Sequence, residues 1–309
     1  MEKIITDFKP NLSKQSIKVY VNTINKIKNN LDGKDDLLFL KNTKEVIKYL
    51  DDLDVSYLTK RNYYNTIIVY MQSLELDLNI IKIYQDERDI LNEDYVNNMK
   101  NGNYSEKKIK NTITKKELDD VIDELEKEVI LLQSNTKFTN KEKHKIQMLF
   151  LLKFLVEIPL RNDLNNTKII KYKDYKKLSD EDINSSNYFV YSPKKSFLSL
   201  SQYKTKKKYG LKLIDIPKSV MKYFYIWLKA VPDSDYLILN ISKNIPATAH
   251  DITLLLTKFF KKRINKNIST TIIRSIIVSD KFSDYKKESQ DMANIMGHSM
   301  SVQQLVYVK

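Results

Sequence analysis

The sequence has no cysteine in 309 residues. That excludes disulfides, thiolate zinc sites and cysteine nucleophiles, and it suits a reducing compartment. Glycine is nearly as scarce: Gly33, Gly102, Gly210 and Gly297 are the whole set. They cannot spell GxGxxG or GxxxxGK[ST], which argues against a nicotinamide enzyme or an ordinary nucleotide-driven motor. The three histidines, His144, His250 and His298, stand far apart, with no HExxH or similar pair to hold a catalytic zinc. The longest apolar stretch, Met148 to Ile158, is broken by Lys153 and Glu157 and falls well below the roughly 18 residues of a membrane span. The opening MEKIITDFKPNL has no apolar signal core, so the expected location is cytoplasmic or, in a nucleated cell, the nucleus.

Positive charge is what the chain has in excess. Lys+Arg number 53 against 39 Asp+Glu, a net charge of +14, with a pI near 9.4; such a balance suits a polyanionic partner. With 42% hydrophobic and 10% aromatic residues, ordinary cores can be filled, and at roughly 150 residues per domain the length suits two domains.

The periodicity predicts a helix over 13–30, where Ser13 caps and Ile17, Tyr20, Val21, Ile24 and Ile27 recur at threes and fours. Further helices are expected over Thr43 to Asp51 and Ser56 to Leu74, making a helical domain of residues 1–96. The polar run at 97–113 around Gly102 has a linker's composition, which leaves 114–309 as a second domain. There, Thr114 with Glu117 reads as a capping box, and Lys141 to Ile158 as a core helix, apolar on nearly every side. NYFVYS, SFLSLSQYKT and LKLIDIP read as strands, the last two joined by a lysine turn with Gly210. Helices are expected again at Lys218 to Ala230 and His250 to Phe260, and two more beginning near Ser269 and Ser289.

The most specific signal is the ending NIMGHSMSVQQLVYVK, in which His298 and Tyr307 are nine positions apart. Gly297 can supply the left-handed or close-approach conformation of a helix end. A histidine and a phenol so placed suit attack on phosphorus. Arg274 in STTIIRSII and Arg161 in EIPLRNDL can each clamp a phosphate with a planar fork of donors. Lys204 precedes Thr205 in the hairpin, in a basic run with Lys206, Lys207 and Lys208, a composition suited to phosphate contact. Taken singly, each of these residues has an ordinary structural reading; Tyr307 is one of 20 tyrosines.

Together Arg161, Lys204, Arg274, His298 and Tyr307 resemble, in order and approximate spacing, the catalytic set of the tyrosine recombinase (phage-type integrase) family. IMGHSMSVQQLVY resembles the family's final Leu-Gly-His-Ser box with Met296 for leucine. Lys204, Thr205, Ile216 and Pro217 look like its β-hairpin. LSKQSIKVY and SYLTKRNYYNTI are similar to its helical core-binding domain, so the likeness spans nearly the whole chain. PLRND, MGHS and the final YVK are closest to integrases of virophages and large DNA viruses. Two positions depart from the pattern. Thr271 stands where the family usually has a histidine three residues before the second arginine, and Asp163 lies two positions after the first arginine where an acid three after it is usual.

The resemblance implies a mainly α fold with a small antiparallel β-hairpin or sheet, an N-terminal core-binding domain and a mixed catalytic domain. It implies transesterification without metal, ATP or other cofactor. Tyr307 attacks the scissile phosphate to leave a 3′-phosphotyrosyl link, Arg161, Arg274, His298 and Thr271 face the phosphorane, and Lys204 acts as general acid. Lys14, Lys18, Lys60 and Arg61 are expected to contact DNA from the N-terminal domain, and Lys206 to Lys208 from the hairpin. Three functions share this chemistry: a site-specific integrase acting as a tetramer on two DNA sites, a type IB topoisomerase-like relaxase, and a catalytically weakened DNA-binding relative. A separate N-terminal clamp favours the first. Only Val308 and Lys309 follow Tyr307, too little apolar surface to hold a partner, so the expectation is a monomer when free.

Overall fold

The computed structural model describes residues 1–31, 37–100, 103 and 106–296. The chain divides into two compact units between Ser105 and Glu106.

The first unit is helical: α1 (Glu2–Phe8), α2 (Lys14–Asn30), a 3₁₀ turn (Leu37–Lys41), α3 (Thr43–Asp52), α4 (Tyr57–Ser73) and α5 (Leu78–Lys100). The Ser13 and Ser56 hydroxyls accept the backbone N–H of Ser16 and Thr59, satisfying donors that a helix start leaves unpaired. Ile17, Ile24 and Ile27 of α2 enter one core with Tyr64, Ile67, Ile68 and Met71 of α4. Tyr84 of α5 is buried there too, and its hydroxyl donates to the Leu40 carbonyl at 2.8 Å. The structure adds α1 and α5 to the helices expected from periodicity. The expected linker at 97–113 is helical at both ends, in the last turn of α5 and in α6 (Glu106–Lys110); Gly102 lies outside the described residues.

The second unit holds α7 (Lys115–Ile130), α8 (Asn140–Glu157), β1 (Lys168–Lys171), α9 (Tyr172–Tyr175), α10 (Asp180–Ser185), β2 (Tyr188–Tyr191), β3 (Phe197–Leu200), α11 (Lys206–Tyr209), β4 (Lys212–Asp215), α12 (Lys218–Ala230), β5 (Leu239–Asn240), β6 (Ile245–Pro246), α13 (Ala249–Ile264) and α14 (Thr270–Met296). Capping boxes open α7 at Thr114 and Glu117 and α8 at Thr139 and Glu142. Helix α8 packs against α7, α12 and α14, which is why Ile146 to Leu155 are buried apart from Lys153. Gln147 lies in that apolar stretch with both ends of its amide paired, donating to the Leu239 carbonyl and accepting its N–H, as buried polar groups generally are.

The main sheet runs β1-β2-β3-β4. Because side chains alternate along a strand, Phe189, Leu198 and Leu200 face the α8 core, while Tyr188, Val190 and Phe197 face a smaller cluster with Tyr175. The antiparallel pairs β2–β3 and β3–β4 fall within the expected strands, but β3 ends at Leu200 instead of running to Thr205, and the lysine turn holds the short helix α11. The structure adds β1, which pairs with β2 in parallel. The two helices expected near Ser269 and Ser289 are one helix, α14, with Ser289 buried in its interior. No glycine or proline occurs between Thr270 and Met296 to end it.

Candidate active site

Helix α8 ends at Glu157, and Ile158-Pro159-Leu160 carries the chain out of the core to Arg161, which is exposed. Arg274, half-buried in the second turn of α14, donates its Nε to the Pro159 carbonyl at 2.8 Å. That bond uses one edge of the guanidinium and ties it to the segment that carries Arg161.

The two residues after Arg161 fix this segment. Asn162 donates to the Ala249 carbonyl and to Thr253 Oγ1, both at 2.8 Å, and accepts from the Thr270 hydroxyl at 2.7 Å. One amide thereby joins the first turns of α13 and α14 to the end of α8. Asp163 is half-buried, and burial raises its carboxyl pKa; Arg161, Arg274 and Lys212 pull the other way. Its carboxyl is thus close enough to feel both arginines, two positions after the first.

Lys204 is exposed in the loop between β3 and α11. Asn187 connects this loop to the arginine segment: its Nδ2 donates to the carbonyls of Asp163 (3.1 Å) and Gln202 (2.9 Å), and its Oδ1 accepts the N–H of Ser201 (2.9 Å) and Gln202 (2.7 Å). The amide is buried with every bond made inside the protein, a rigid link. Gly210 closes the β3–β4 connection at φ 66° and ψ −156°, a region open to glycine almost alone. Thr271 is exposed in the first turn of α14, three positions before Arg274 and so on the same side of the helix. His298 and Tyr307 lie outside the described residues.

The expected DNA contacts differ in their surroundings. Lys14 and Lys18 are exposed one turn apart on α2. Lys60 donates to the Asp51 carbonyl at 2.7 Å, and Arg61 bonds Asn92 Oδ1 at 3.3 Å with its guanidinium 5.8 Å from the Tyr95 ring centre. Both are engaged within their own unit. In the hairpin, Lys206 donates to the Asn184 carbonyl at 3.1 Å, Lys207 is exposed, and Lys208 lies over Tyr209.

Asn162, Asn187 and Lys212 were not singled out by sequence. Asn162 had a local signal, its place between Arg161 and Asp163; the other two act through contacts distant in sequence. A cleft of about 890 Å³ opens elsewhere, between α8 and α13, lined by Met148, Leu255 and Phe259 among others. None of the candidate residues lines it. Among the described residues no cluster of three or more His, Asp or Glu could hold a metal, and no helix is long and apolar enough to cross a membrane.

No protein-family model matches the sequence, and no curated protein matches it. Solved structures do match. The Tn1549 transposon integrase (residues 82–397) in complex with circular intermediate DNA is 13% identical, with 100% of this chain and 94% of that one covered and a TM-score of 0.54. XerA recombinase is 13% identical over 100% and 93% of the two chains at a TM-score of 0.36. XerH site-specific recombinase bound to difH substrate, in a pre-cleavage complex, is 14% identical over 98% and 89% at 0.36. The chain has the tyrosine recombinase fold, mostly helical with a small sheet.

Proposed function

We propose that this chain, on the premise of that fold, is a DNA-cleaving and rejoining tyrosine recombinase, an integrase by its two-unit organisation, with double-stranded DNA as its substrate. The observation that carries this is the bond that ties Arg274 to the segment bearing Arg161: that segment follows α8, accepts the Arg274 Nε at Pro159, and supplies Asp163, the carboxylate that feels both arginines. One guanidinium held in this way and a second on the same segment can share the non-bridging oxygens of one phosphate. Preorganised donors of this kind are worth about 3 to 4 kcal/mol each where charge develops in the transition state.

In this reading the Tyr307 phenol gives up its proton to solvent as its oxygen forms a bond to phosphorus, and the bond to the 5′-oxygen breaks. Lys204 gives the leaving oxygen its proton as general acid. Arg161, Arg274 and His298 stabilise the phosphorane, and Thr271 donates one hydrogen bond to it. The bond energy is kept in the phosphotyrosyl link, and the free 5′-hydroxyl reverses the step, so the cycle consumes neither a nucleotide nor a metal-bound water. Lys14, Lys18, Lys60 and Arg61 contact the backbone from the first unit, and Lys206, Lys207 and Lys208 from the hairpin. Recombination joins two such sites in a tetramer formed on DNA.

Covalent trapping tests this. The protein is incubated with nicked suicide duplexes drawn from a randomised library, in chelator and without ATP, and denaturation-resistant protein–DNA adducts are recovered. The expected result is an adduct with the protein on a 3′-phosphate and a free 5′-hydroxyl on the released strand. Failure to form any adduct, or one on a 5′-phosphate, contradicts the reading. Supercoil relaxation run alongside recombination separates an integrase from a relaxase.

A further inference from the structure

We propose that Lys212 is a third phosphate-binding cation of this site, gripping the cleaved strand at the scissile phosphate or the one next to it. The proposal rests on the recombinase reading and adds a residue to its substrate contacts.

Lys212 opens β4, where its ladder partner is Leu200. Its Nζ lies 5.0 Å from the ring centre of Tyr203 and 4.8 Å from that of Tyr209, so two aromatic rings hold one ammonium by their negative faces. The rings belong to the loop that presents Lys204. Tyr203 is its chain neighbour, and the Tyr203 hydroxyl donates to the Gly210 carbonyl at 2.7 Å, closing the loop around the lysine. A flexible side chain is thereby preorganised, which lowers the entropy lost on binding a ligand.

The charge balance says what it is held for. Asp163 feels Arg161, Arg274 and Lys212 together, and a single carboxylate offsets at most one of the three. Among the described residues Lys212 makes no ion pair. Two uncompensated positive charges beside one segment form a site for phosphate. An ammonium fits there as a point charge, alongside the planar forks of the two arginines. The anchoring by Asn187 of the Lys204 loop to the Asp163 backbone keeps Lys212, reached through Tyr203, in a constant relation to the arginine segment.

The test uses the full chain with Lys212→Met, which keeps the apolar stem, and Lys212→Arg, which keeps the charge. Binding to a random-sequence 40-base-pair duplex is followed by anisotropy across a salt series, and adduct formation is followed on suicide duplexes captured with the unmutated protein. Lys212→Met should lower the salt-dependence slope by about one and slow adduct formation about tenfold or more, while Lys212→Arg keeps most of both. A methylphosphonate at the scissile or adjacent position should erase the difference between Lys212→Met and the unmutated chain. An unchanged slope and rate in Lys212→Met overturn the proposal. So does equal loss in both variants together with a lowered unfolding midpoint, which would make the residue a structural part of the loop. If the unmutated protein forms no adduct, the recombinase reading fails, and the salt slope still decides whether Lys212 meets a phosphate.

Discussion

Arg274 Nε and the Pro159 carbonyl lie 2.8 Å apart, and this bond sets which edge of the guanidinium stays open. With Nε spent on the protein, the two terminal nitrogens remain for a ligand. Arg274→Lys keeps the charge and loses both the anchor and the fork. Adduct formation should fall about 100-fold, while the folding free energy falls by only about 1 kcal/mol. Suicide-substrate kinetics beside urea denaturation checks both; an unimpaired rate would mean that the anchor does not orient the side chain for chemistry.

Asn187 predicts a larger cost in stability. Its buried amide makes two donated and two accepted bonds across three segments. Asn187→Ala should cost about 2 to 4 kcal/mol, since backbone groups are left without partners. Asn187→Asp keeps the two accepted bonds but turns a carboxylate against two carbonyls, so it should rescue little. A urea midpoint equal to that of the unmutated protein in either variant would contradict the bridging role.

Asp163 gives the stability a pH dependence whose sign follows from its burial. Its carboxyl is raised above the ordinary value, burial outweighing the three cations, so the folded state holds this proton more tightly than the unfolded chain. Ionisation then costs stability. The cost is absent below the ordinary Asp value of about 3.9, grows as pH rises to the raised value, and stays constant above it. Asp163→Asn should be more stable than the unmutated protein at pH 7, with the difference closing on acidification. A thermal-midpoint difference that widens toward low pH would reverse the sign.

Thr271 is exposed beside Arg274 on the first turn of α14. If its hydroxyl meets the phosphate, Thr271→Val should lower the adduct rate by the loss of one donor, about 1 to 3 kcal/mol, and Thr271→His should match or exceed the unmutated rate. Equal rates in all three would show that the side chain points away from the phosphate.

Much of this architecture is legible along the chain, because it rests on local chemistry. Ser13 and Thr114 cap the helices they were expected to cap, since a short oxygen-bearing side chain before an apolar period has one economical use. The apolar run of α8 announces a core helix for the same reason. What stays hidden depends on partners far away in sequence. KIIK at 168–171 is too short and too charged to read as a strand; it becomes β1 by pairing with β2. Ser289 resembles a cap and lies instead within α14. In the site, the types and order of Arg161, Lys204 and Arg274 are visible in the sequence. That Asp163 feels both arginines, and that Asn187 joins the lysine loop to them, depends on the sheet and helices being assembled.

The most direct measurement substitutes the residue on which the whole mechanism turns. Tyr307→Phe removes one hydroxyl and leaves the phosphate-contacting cations in place, so DNA affinity at fixed salt should be almost unchanged. With the suicide duplex that traps the unmutated protein, Tyr307→Phe should give no denaturation-resistant adduct at all. Mass spectrometry of the adduct from the unmutated chain should place the nucleotide on the peptide containing Tyr307. An adduct that persists in the Phe variant, or a nucleotide mapped to any other residue, would contradict phosphotyrosyl chemistry at this site.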